Sequence, residues 1–217
     1  MVRWGLLLLL VFSSHAHADK IACAPDDAPA EVVLIVGDSL SAGYGIDRSE
    51  AWATHLQERF EKKAAPYRVV NASISGDTTS GGLARLKKAL PKHRPALVVI
   101  ELGGNDGLRG LPIRVMRKNL TGMIEASRAA GAQVALLGMR IPSNYGARYT
   151  DAFYKVYGDL ARDYELPLVE FFLEGVALDP DLMQSDGIHP NASAQMRLLD
   201  NAWPAIAQGL VSHCAAD

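Results

Sequence analysis

The sequence lacks the features that mark several classes of protein. Only two of its 217 residues are cysteine, and no group of His, Cys and Asp has the spacing of metal ligands, so we expect no metal site. Basic residues never run longer than two, and the formal net charge is −2, which excludes a nucleic-acid footprint. No apolar run is long enough to cross a bilayer, so we expect no stable membrane insertion.

Nucleotide-binding signatures are also missing. The glycine-rich stretch at residues 103–107 has neither the lysine of a Walker motif nor the spaced glycines of a dinucleotide fingerprint, so we expect no cofactor. The composition, with 49% apolar and 21% charged residues, is that of a globular protein with a sizeable core. The sequence has no internal repeat and no linker, which favours one domain.

The first 18 residues have the pattern of a secretory signal peptide. Arg3 supplies a positive start, residues 6–12 are apolar, and a small-x-small cleavage site ends at Ala18. Cleavage near Ala18 would leave a single domain at residues 19–217, located in the periplasm or secreted.

The two cysteines lie near the ends of that domain. Because exported proteins meet an oxidising compartment, Cys23 and Cys214 are candidates for one disulfide that joins the termini. Two free thiols are the alternative, and the sequence does not decide between them. Cys23 also raises a lipoprotein alternative, which the polar residues between it and the apolar run disfavour.

Apolar runs alternate with helix-like segments along the whole domain, a pattern that predicts a parallel sheet with helices on both faces. The predicted strands are residues 31–36, 67–72, 96–102, 134–139 and 168–171. The predicted helices are residues 52–61, 80–90 with Pro91 as the stop, 113–130, 149–164, and 192–209 with a kink or restart at Pro204. The glycine-rich segment at residues 103–112 is expected to be a mobile loop.

The first predicted strand leads directly into Gly37-Asp38-Ser39-Leu40. Open α/β sheets bind ligands at the carboxyl ends of their strands, so Ser39 is placed to be a nucleophile. A serine at this position could instead cap the following helix. Asp38 is expected to fix its loop as a hydrogen-bond acceptor, and Asp77 and Asp106 to stabilise their own turns.

Later loops supply the groups that acyl transfer to a serine requires. A hydroxyl needs a base to take its proton, and His189 can serve if the carboxylate of Asp186 orients its ring. The negative charge of the tetrahedral intermediate needs N–H donors. The candidates are the backbone N–H groups of Ser39 and Gly76 and the side-chain amide of Asn105.

The four blocks that contain these residues resemble those of the SGNH/GDSL hydrolase family. The resemblance implies a flavodoxin-like, three-layer α/β/α sandwich whose five-stranded parallel sheet has the order 2-1-3-4-5. It also implies Ser39, Asp186 and His189 as the catalytic triad, with Ser39, Gly76 and Asn105 forming the oxyanion hole. The likeness is greatest to exported members with thioesterase, lysophospholipase and arylesterase activity. The Gly-x-Ser-x-Gly elbow of α/β-hydrolases is absent, as this family leads one to expect.

Apolar residues in loops on the same sheet edge are the candidate lining for a substrate chain. They are Leu108, Leu111, Ile141, Pro142 and Tyr145. Such a wall favours a serine esterase for medium to long acyl chains, acting as a monomer on small-molecule esters or lipids. Two alternatives stay open, a carbohydrate (acetyl) esterase on the same fold and a non-catalytic ligand-binding protein.

Overall fold

The computed structural model describes residues 29–214, which form a parallel sheet with helices on both faces. The strands are β1 Glu31–Gly37, β2 Tyr67–Asn71, β3 Leu97–Glu101, β4 Gln133–Leu137 and β5 Leu168–Val169. The helices are α1 Ser39–Ala42, α2 Trp52–Lys62, α3 Thr79–His93, α4 Gly104–Leu108, α5 Ile113–Ala129, α6 Ala147–Asp163 and α7 Gln195–Cys214. The predicted signal peptide and Cys23 lie outside the described residues.

The sheet has the strand order β2-β1-β3-β4-β5, which confirms the predicted topology. From β1 the chain first adds β2 at one edge of the sheet, and then adds β3, β4 and β5 in turn on the other side of β1. Right-handed crossovers therefore place α2 on one face and α3, α5 and α6 on the other, and α7 packs beside α2. The direction reverses between β1 and β3, so the ligand crevice of such a sheet is expected at the carboxyl ends of these two strands.

The central strands are apolar because both of their faces are covered. Residues 33–36 of β1 and 97–99 of β3 are fully buried. Burying one such side chain contributes about 1.5–3 kcal/mol to the free energy of unfolding. These strands form the rigid base from which the loops of the site extend.

The structure corrects two predicted helix ends. Helix α3 continues past Pro91 to His93, because a proline in the last turn removes only one backbone hydrogen bond, and the helix ends at Arg94 with a φ of 43°. Helix α7 is continuous through Pro204 and passes Gly209. A Cβ on Gly209 would lie 2.7 Å from Leu97 Cδ1, so this glycine allows α7 to pack closely on β3 and does not stop the helix.

The segment at residues 103–112, predicted as a glycine-rich loop, is partly helical and includes α4. Gly103 enters the helix with a φ of 121°, and a Cβ there would lie 2.2 Å from Tyr157 Oη. The hydroxyl of Tyr157 donates to the carbonyl of Leu102 at 2.9 Å. Strand β5 is shorter than predicted, because after Val169 the chain turns across the end of β4, where Phe172 N donates to Gly138 O at 2.8 Å.

The two ends of the described fold lie side by side. His213 Nε2 in α7 is 3.1 Å from Glu31 Oε1 at the start of β1. Cys214 follows His213 at the end of the same helix, and its predicted pairing with Cys23 stays a prediction. Within residues 29–214, no helix is long and apolar enough to span a membrane.

Candidate active site

Ser39 is the first residue of α1 and follows β1 at the edge of the sheet where the crevice is expected. The helix is capped by Asp38, whose Oδ1 accepts a hydrogen bond from Leu40 N at 3.1 Å. The capping function considered for Ser39 therefore belongs to its neighbour. The hydroxyl of Ser39 is left to point at another partner, and it is half-buried.

That partner is the imidazole of His189. Ser39 Oγ lies 3.0 Å from His189 Nε2, and His189 Nδ1 lies 2.7 Å from Asp186 Oδ2. The three side chains thus form one chain of hydrogen bonds. With the Nδ1 proton on the Asp186 side, Nε2 is free to accept the hydroxyl proton of Ser39, which is what a general base for this serine must do.

Asp186 is held as an anion by the donors around it. Its side-chain hydrogen bond with His189 and the backbone N–H groups of His189 and Ile188, at 3.0 and 2.9 Å, lower the pKa of Asp186 to about 2. The carboxylate therefore stays ionised at any pH at which the protein would work. It can stabilise a positive charge on the imidazole.

The candidate oxyanion donors follow three neighbouring strands. Ser39 follows β1, Gly76 follows β2, and Asn105 lies in α4 after β3. Gly76 has a φ of 77°, which favours glycine, and among the described residues Arg109 Nη2, at 3.8 Å, is the one atom within 4 Å of where a Cβ would point. Arg109 Nη2 also donates to Gly76 O at 2.8 Å, which joins this turn to the end of α4.

Asp38 orients Asn105. The amide nitrogen of Asn105 donates to Asp38 Oδ2 at 3.0 Å, which leaves its second N–H for another acceptor. Burial raises the pKa of Asp38 to about 6, although hydrogen bonds from Leu40 and Asn105 oppose this effect. The expected loop-fixing role of Asp38 therefore extends to a candidate oxyanion donor in α4.

A second buried carboxyl, which sequence reasoning missed, lies beneath the nucleophile. Glu101 ends β3 directly opposite Gly37 of β1, and its Oε2 accepts from Ser41 Oγ at 2.7 Å and Asp38 N at 3.3 Å. Burial, and then the charge of Asp38, raise the pKa of Glu101 well above its usual value. A lone acid at the end of an apolar strand is the signal that could have revealed it.

Arg85 is another site residue that sequence reasoning missed. It reaches from α3 to form an ion pair with Asp77 and donates to Gly37 O at 3.0 Å. It therefore joins the turn after β2, which contains Gly76, to the end of β1. Gly37 lies 48 residues away in sequence, so no local pattern predicts that contact.

Asp106 differs from its predicted role. Instead of stabilising its own turn, it accepts from the backbone N and the hydroxyl of Thr79 at 2.8 and 2.6 Å. These bonds attach α4 to the start of α3. Within the described part of the chain, no group of three or more His, Cys, Asp and Glu residues could hold a metal ion.

The predicted apolar wall is only partly assembled. Tyr145 donates through its hydroxyl to Leu108 O at 2.7 Å, and both side chains are exposed. Gly107 packs against Ile141, since a Cβ there would lie 2.6 Å from Ile141 Cγ2. Leu111 is held through its carbonyl by Tyr149, and Pro142 is exposed. A groove of about 470 Å³ runs beside this surface, and of the five predicted residues only Tyr145 lines it.

The chain is similar to known proteins in both sequence and structure. Residues 35–197 match the model of the GDSL-like lipase/acylhydrolase family. Over 179 residues the chain is 54% identical to "Esterase TesA" of Pseudomonas aeruginosa, covering 82% of this chain and 89% of that one. Over 216 residues it is 47% identical to "Thioesterase 1/protease 1/lysophospholipase L1" of Escherichia coli K12, covering 97% and 95%. The crystal structure of the esterase EstA from Pseudoalteromonas, inhibited by monoethylphosphonate, superposes with a TM-score of 0.78 at 41% identity, covering 82% and 97%.

Proposed function

The chain belongs to the GDSL-like lipase/acylhydrolase family, and we propose that Ser39 is the nucleophile of its serine esterase reaction, with His189 as general base and Asp186 as the orienting acid. The single observation that supports this assignment is the hydrogen-bonded chain from Ser39 Oγ through His189 to Asp186, at 3.0 and 2.7 Å.

The first half of the reaction forms an acyl-enzyme. As Ser39 Oγ attacks the ester carbonyl carbon, its proton moves to His189 Nε2, and Asp186 stabilises the imidazolium. The carbonyl oxygen becomes an oxyanion, which the N–H groups of Ser39, Gly76 and Asn105 are placed to receive. Collapse of the intermediate breaks the bond to the leaving alcohol or thiol, and His189 gives that group the proton.

The second half repeats these steps with water. The oxygen of a water molecule attacks the acyl carbon while His189 takes a proton from that water. The oxyanion forms again at the same donors, the bond to Ser39 Oγ breaks, and the proton returns to Ser39. The products are a carboxylic acid and the regenerated enzyme, so no cofactor is consumed.

The proposed substrates are aryl esters, acyl thioesters and lysophospholipids with medium to long acyl chains. The exposed apolar side chains of Leu108 and Tyr145 support this choice, because each methylene buried against such a surface contributes about 0.8 kcal/mol to binding. The names of the two relatives, which include esterase, thioesterase and lysophospholipase, support it as well.

We also propose that the protein is exported as a monomer, after cleavage near Ala18, and acts in the periplasm or outside the cell. The pattern of residues 1–18 supports the export of the protein. Mass spectrometry of the exported protein should give an N-terminus close to residue 19, and an intact Met1 would contradict the proposal.

Labelling with a fluorophosphonate probe tests the nucleophile. The wild type should be labelled at Ser39 and the Ser39→Ala variant should not, whereas Ser49→Ala, which changes an exposed serine hydrogen-bonded to Asp47, should label at the wild-type rate. Labelling of Ser39→Ala at the wild-type rate would overturn the assignment.

A series of p-nitrophenyl esters from acetyl to decanoyl, with lysophospholipids and acetylated sugars beside them, tests the substrate class. We expect kcat/KM to rise with acyl chain length. A preference for acetylated sugars over acyl esters would instead favour a carbohydrate esterase.

A further inference from the structure

Two hydrogen bonds oppose rotation of the His189 ring about its Cβ–Cγ bond. One bond joins Nδ1 to Asp186, and the other joins Nε2 to Ser39. The ring is bonded to Cβ through Cγ, so it turns about the Cβ–Cγ bond, and such a turn would carry both nitrogens out of these hydrogen bonds. Rotation would turn the Nε2 lone pair away from the hydroxyl, and misplacement of a catalytic group by about 1 Å can lower a rate by on the order of 10²-fold.

Tyr44 lies against one face of this ring. Its own ring has a centroid 4.5 Å from that of His189, with a tilt of 40°. Tyr44 follows α1, and its backbone N donates to Ser39 O at 3.1 Å, so its position depends on the turn that carries the nucleophile. The tyrosine ring blocks rotation of the imidazole toward that face.

Gln184 joins the turn that contains Tyr44 to the loop that contains His189. Its side-chain nitrogen donates to Tyr44 O at 2.7 Å and to Pro190 O at 3.0 Å, which uses both N–H groups of the amide. Its backbone N donates to His189 O at 2.7 Å. Gly45 permits this approach, because a Cβ there would lie 2.2 Å from Gln184 Oε1.

The loop needs such a connection because it has little regular structure. Residues 183–191 contain only an isolated bridge between Met183 and Pro190, and Asp186 and Ile188 are exposed. Loops on a protein surface move more than strands do, and a catalytic side chain on a loop is positioned only as well as the loop is.

We propose that Gln184 and Tyr44 are positioning residues of the esterase reaction and together form a clamp on His189. Gln184 sets the spacing of the two loops, and Tyr44 holds the plane of the imidazole. The proposal rests on the function proposed above for His189. It assigns to both residues an effect on the chemical step, not on the binding of the acyl chain.

Steady-state kinetics of Tyr44→Ala and Gln184→Ala on p-nitrophenyl acetate and decanoate test this assignment. We expect kcat to fall by about 10- to 100-fold on both esters, as for a misplaced catalytic group, with KM changed less than about threefold. Tyr44→Phe keeps the ring and should restore most of the activity lost in Tyr44→Ala. Gln184→Glu cannot donate to the two carbonyls and should remain as impaired as Gln184→Ala.

The double variant tests whether the two residues act as one unit. Because both act on the same ring, the combined loss in kcat should be close to the larger single loss and well below the product of the two. Independent losses, or an effect confined to KM of the decanoyl ester, would overturn the clamp and assign Tyr44 to the substrate wall.

Gln57→Ala is the matched control. Gln57 also holds another element through its side chain, since its Oε1 accepts from Val69 N at 2.8 Å, but it lies in α2 away from the site. Gln57→Ala should lower the unfolding temperature, because this hydrogen bond is lost, and leave kcat unchanged. The low-field NMR resonance of the proton between His189 and Asp186 should shift in Tyr44→Ala and stay in place in Gln57→Ala.

Ser39→Ala distinguishes failure of the clamp from failure of the proposed function. If Ser39→Ala retains activity, the esterase assignment itself is wrong. If Ser39→Ala is inactive while Tyr44→Ala and Gln184→Ala match the wild type, only the clamp is wrong.

Discussion

The two halves of the candidate site are held in different ways. The nucleophile half, residues 37–45 with Glu101 and Asn105, is built on the ends of β1 and β3, and Asp38, Ser41 and Glu101 in it are buried. The base half, residues 183–191, is an exposed loop whose main connection to the nucleophile half is through Gln184 and His189. The nucleophile half is part of the core, whereas the base half is a surface loop attached to the nucleophile half.

This difference predicts how each half responds to mutation. Carboxyl groups buried in the nucleophile half have raised pKa values, so changes there should alter the free energy of unfolding, whatever their effect on activity. In the base half Asp186 is exposed and lies in a loop outside the core, so changes there should alter activity with little change in the free energy of unfolding.

The largest expected effect is on the base half. His189→Ala should lower kcat by on the order of 10⁶, as loss of a triad member does in other serine hydrolases. Its unfolding temperature should change by less than about 2 °C, because the side chain lies in a loop outside the core. Thermal unfolding and steady-state kinetics measure both quantities. A fall of about 5 °C would show that this loop is part of the cooperative core.

Asn105→Ala should have the next largest effect. Removing one oxyanion donor costs roughly 10² to 10³ in kcat. The variant should also be less stable than the wild type, because the buried carboxylate of Asp38 loses one of its donors. Kinetics on one ester and urea unfolding at pH 7 measure the two effects. A loss of kcat under about fivefold would remove Asn105 from the oxyanion hole.

Asp38→Asn should separate activity from stability. The kcat of Asp38→Asn should fall by less than the kcat of Asn105→Ala. The Asn105 amide is still present in Asp38→Asn, although the Asp38 carboxylate that orients it is gone. The pKa of Asp38 is raised from 3.8 to about 6, so above pH 6 the wild type bears a cost of about 3 kcal/mol for burying this charge. Asparagine bears no such cost but loses a hydrogen bond worth about 1 kcal/mol.

The Asp38→Asn variant should therefore unfold at a higher temperature than the wild type at pH 8. This advantage should shrink as pH falls through 6 and be small at pH 4, where Asp38 is protonated in the folded wild type and partly protonated in the unfolded chain. Thermal unfolding from pH 4 to pH 8 measures the difference. A gap that does not change with pH would mean that the charge of Asp38 carries no burial cost.

Glu101→Gln should have the smallest effect on kcat. Glutamine keeps an acceptor for Ser41 Oγ and Asp38 N and carries no titratable proton. Because the folded pKa of Glu101 is raised, the wild type loses stability as pH rises above the ordinary value of 4.5. The variant should gain stability relative to the wild type over that pH range, as measured by chemical unfolding at several pH values. The opposite trend would mean that Glu101 is ionised in the fold.

Sequence patterns predicted the parts of this molecule that depend on neighbouring residues. The apolar run of β1 and the β-branched run of β3 are readable because both strands are buried on two faces. Their order in the sheet came from the family resemblance. Since the carboxyl ends of parallel strands share one edge, the sequence alone was enough to place the motifs with Ser39 and Asn105 together.

Other features depend on partners far away in the chain. Gly209 looks like a helix stop until Leu97 is seen against it, and Asp106 looks like a turn residue until Thr79 is seen beside it. Gln184 contacts Tyr44 across 140 positions. No local pattern encodes such contacts, because they depend on how the packed elements meet.

The contact between His213 and Glu31 bears on how the two ends of the chain could be joined. It brings the last turn of α7 beside the first residue of β1, so a short linker could replace residues 1–28 and 215–217 and close the polypeptide into a ring. New chain termini in the turn between α2 and β2 would make β2 the first element and α2 the last. Every proposed site residue except Ser39 and its neighbours would then precede the linker, and Ser39 would follow it. A circularly permuted enzyme of this kind would deliver its nucleophile near the end of synthesis, after the base.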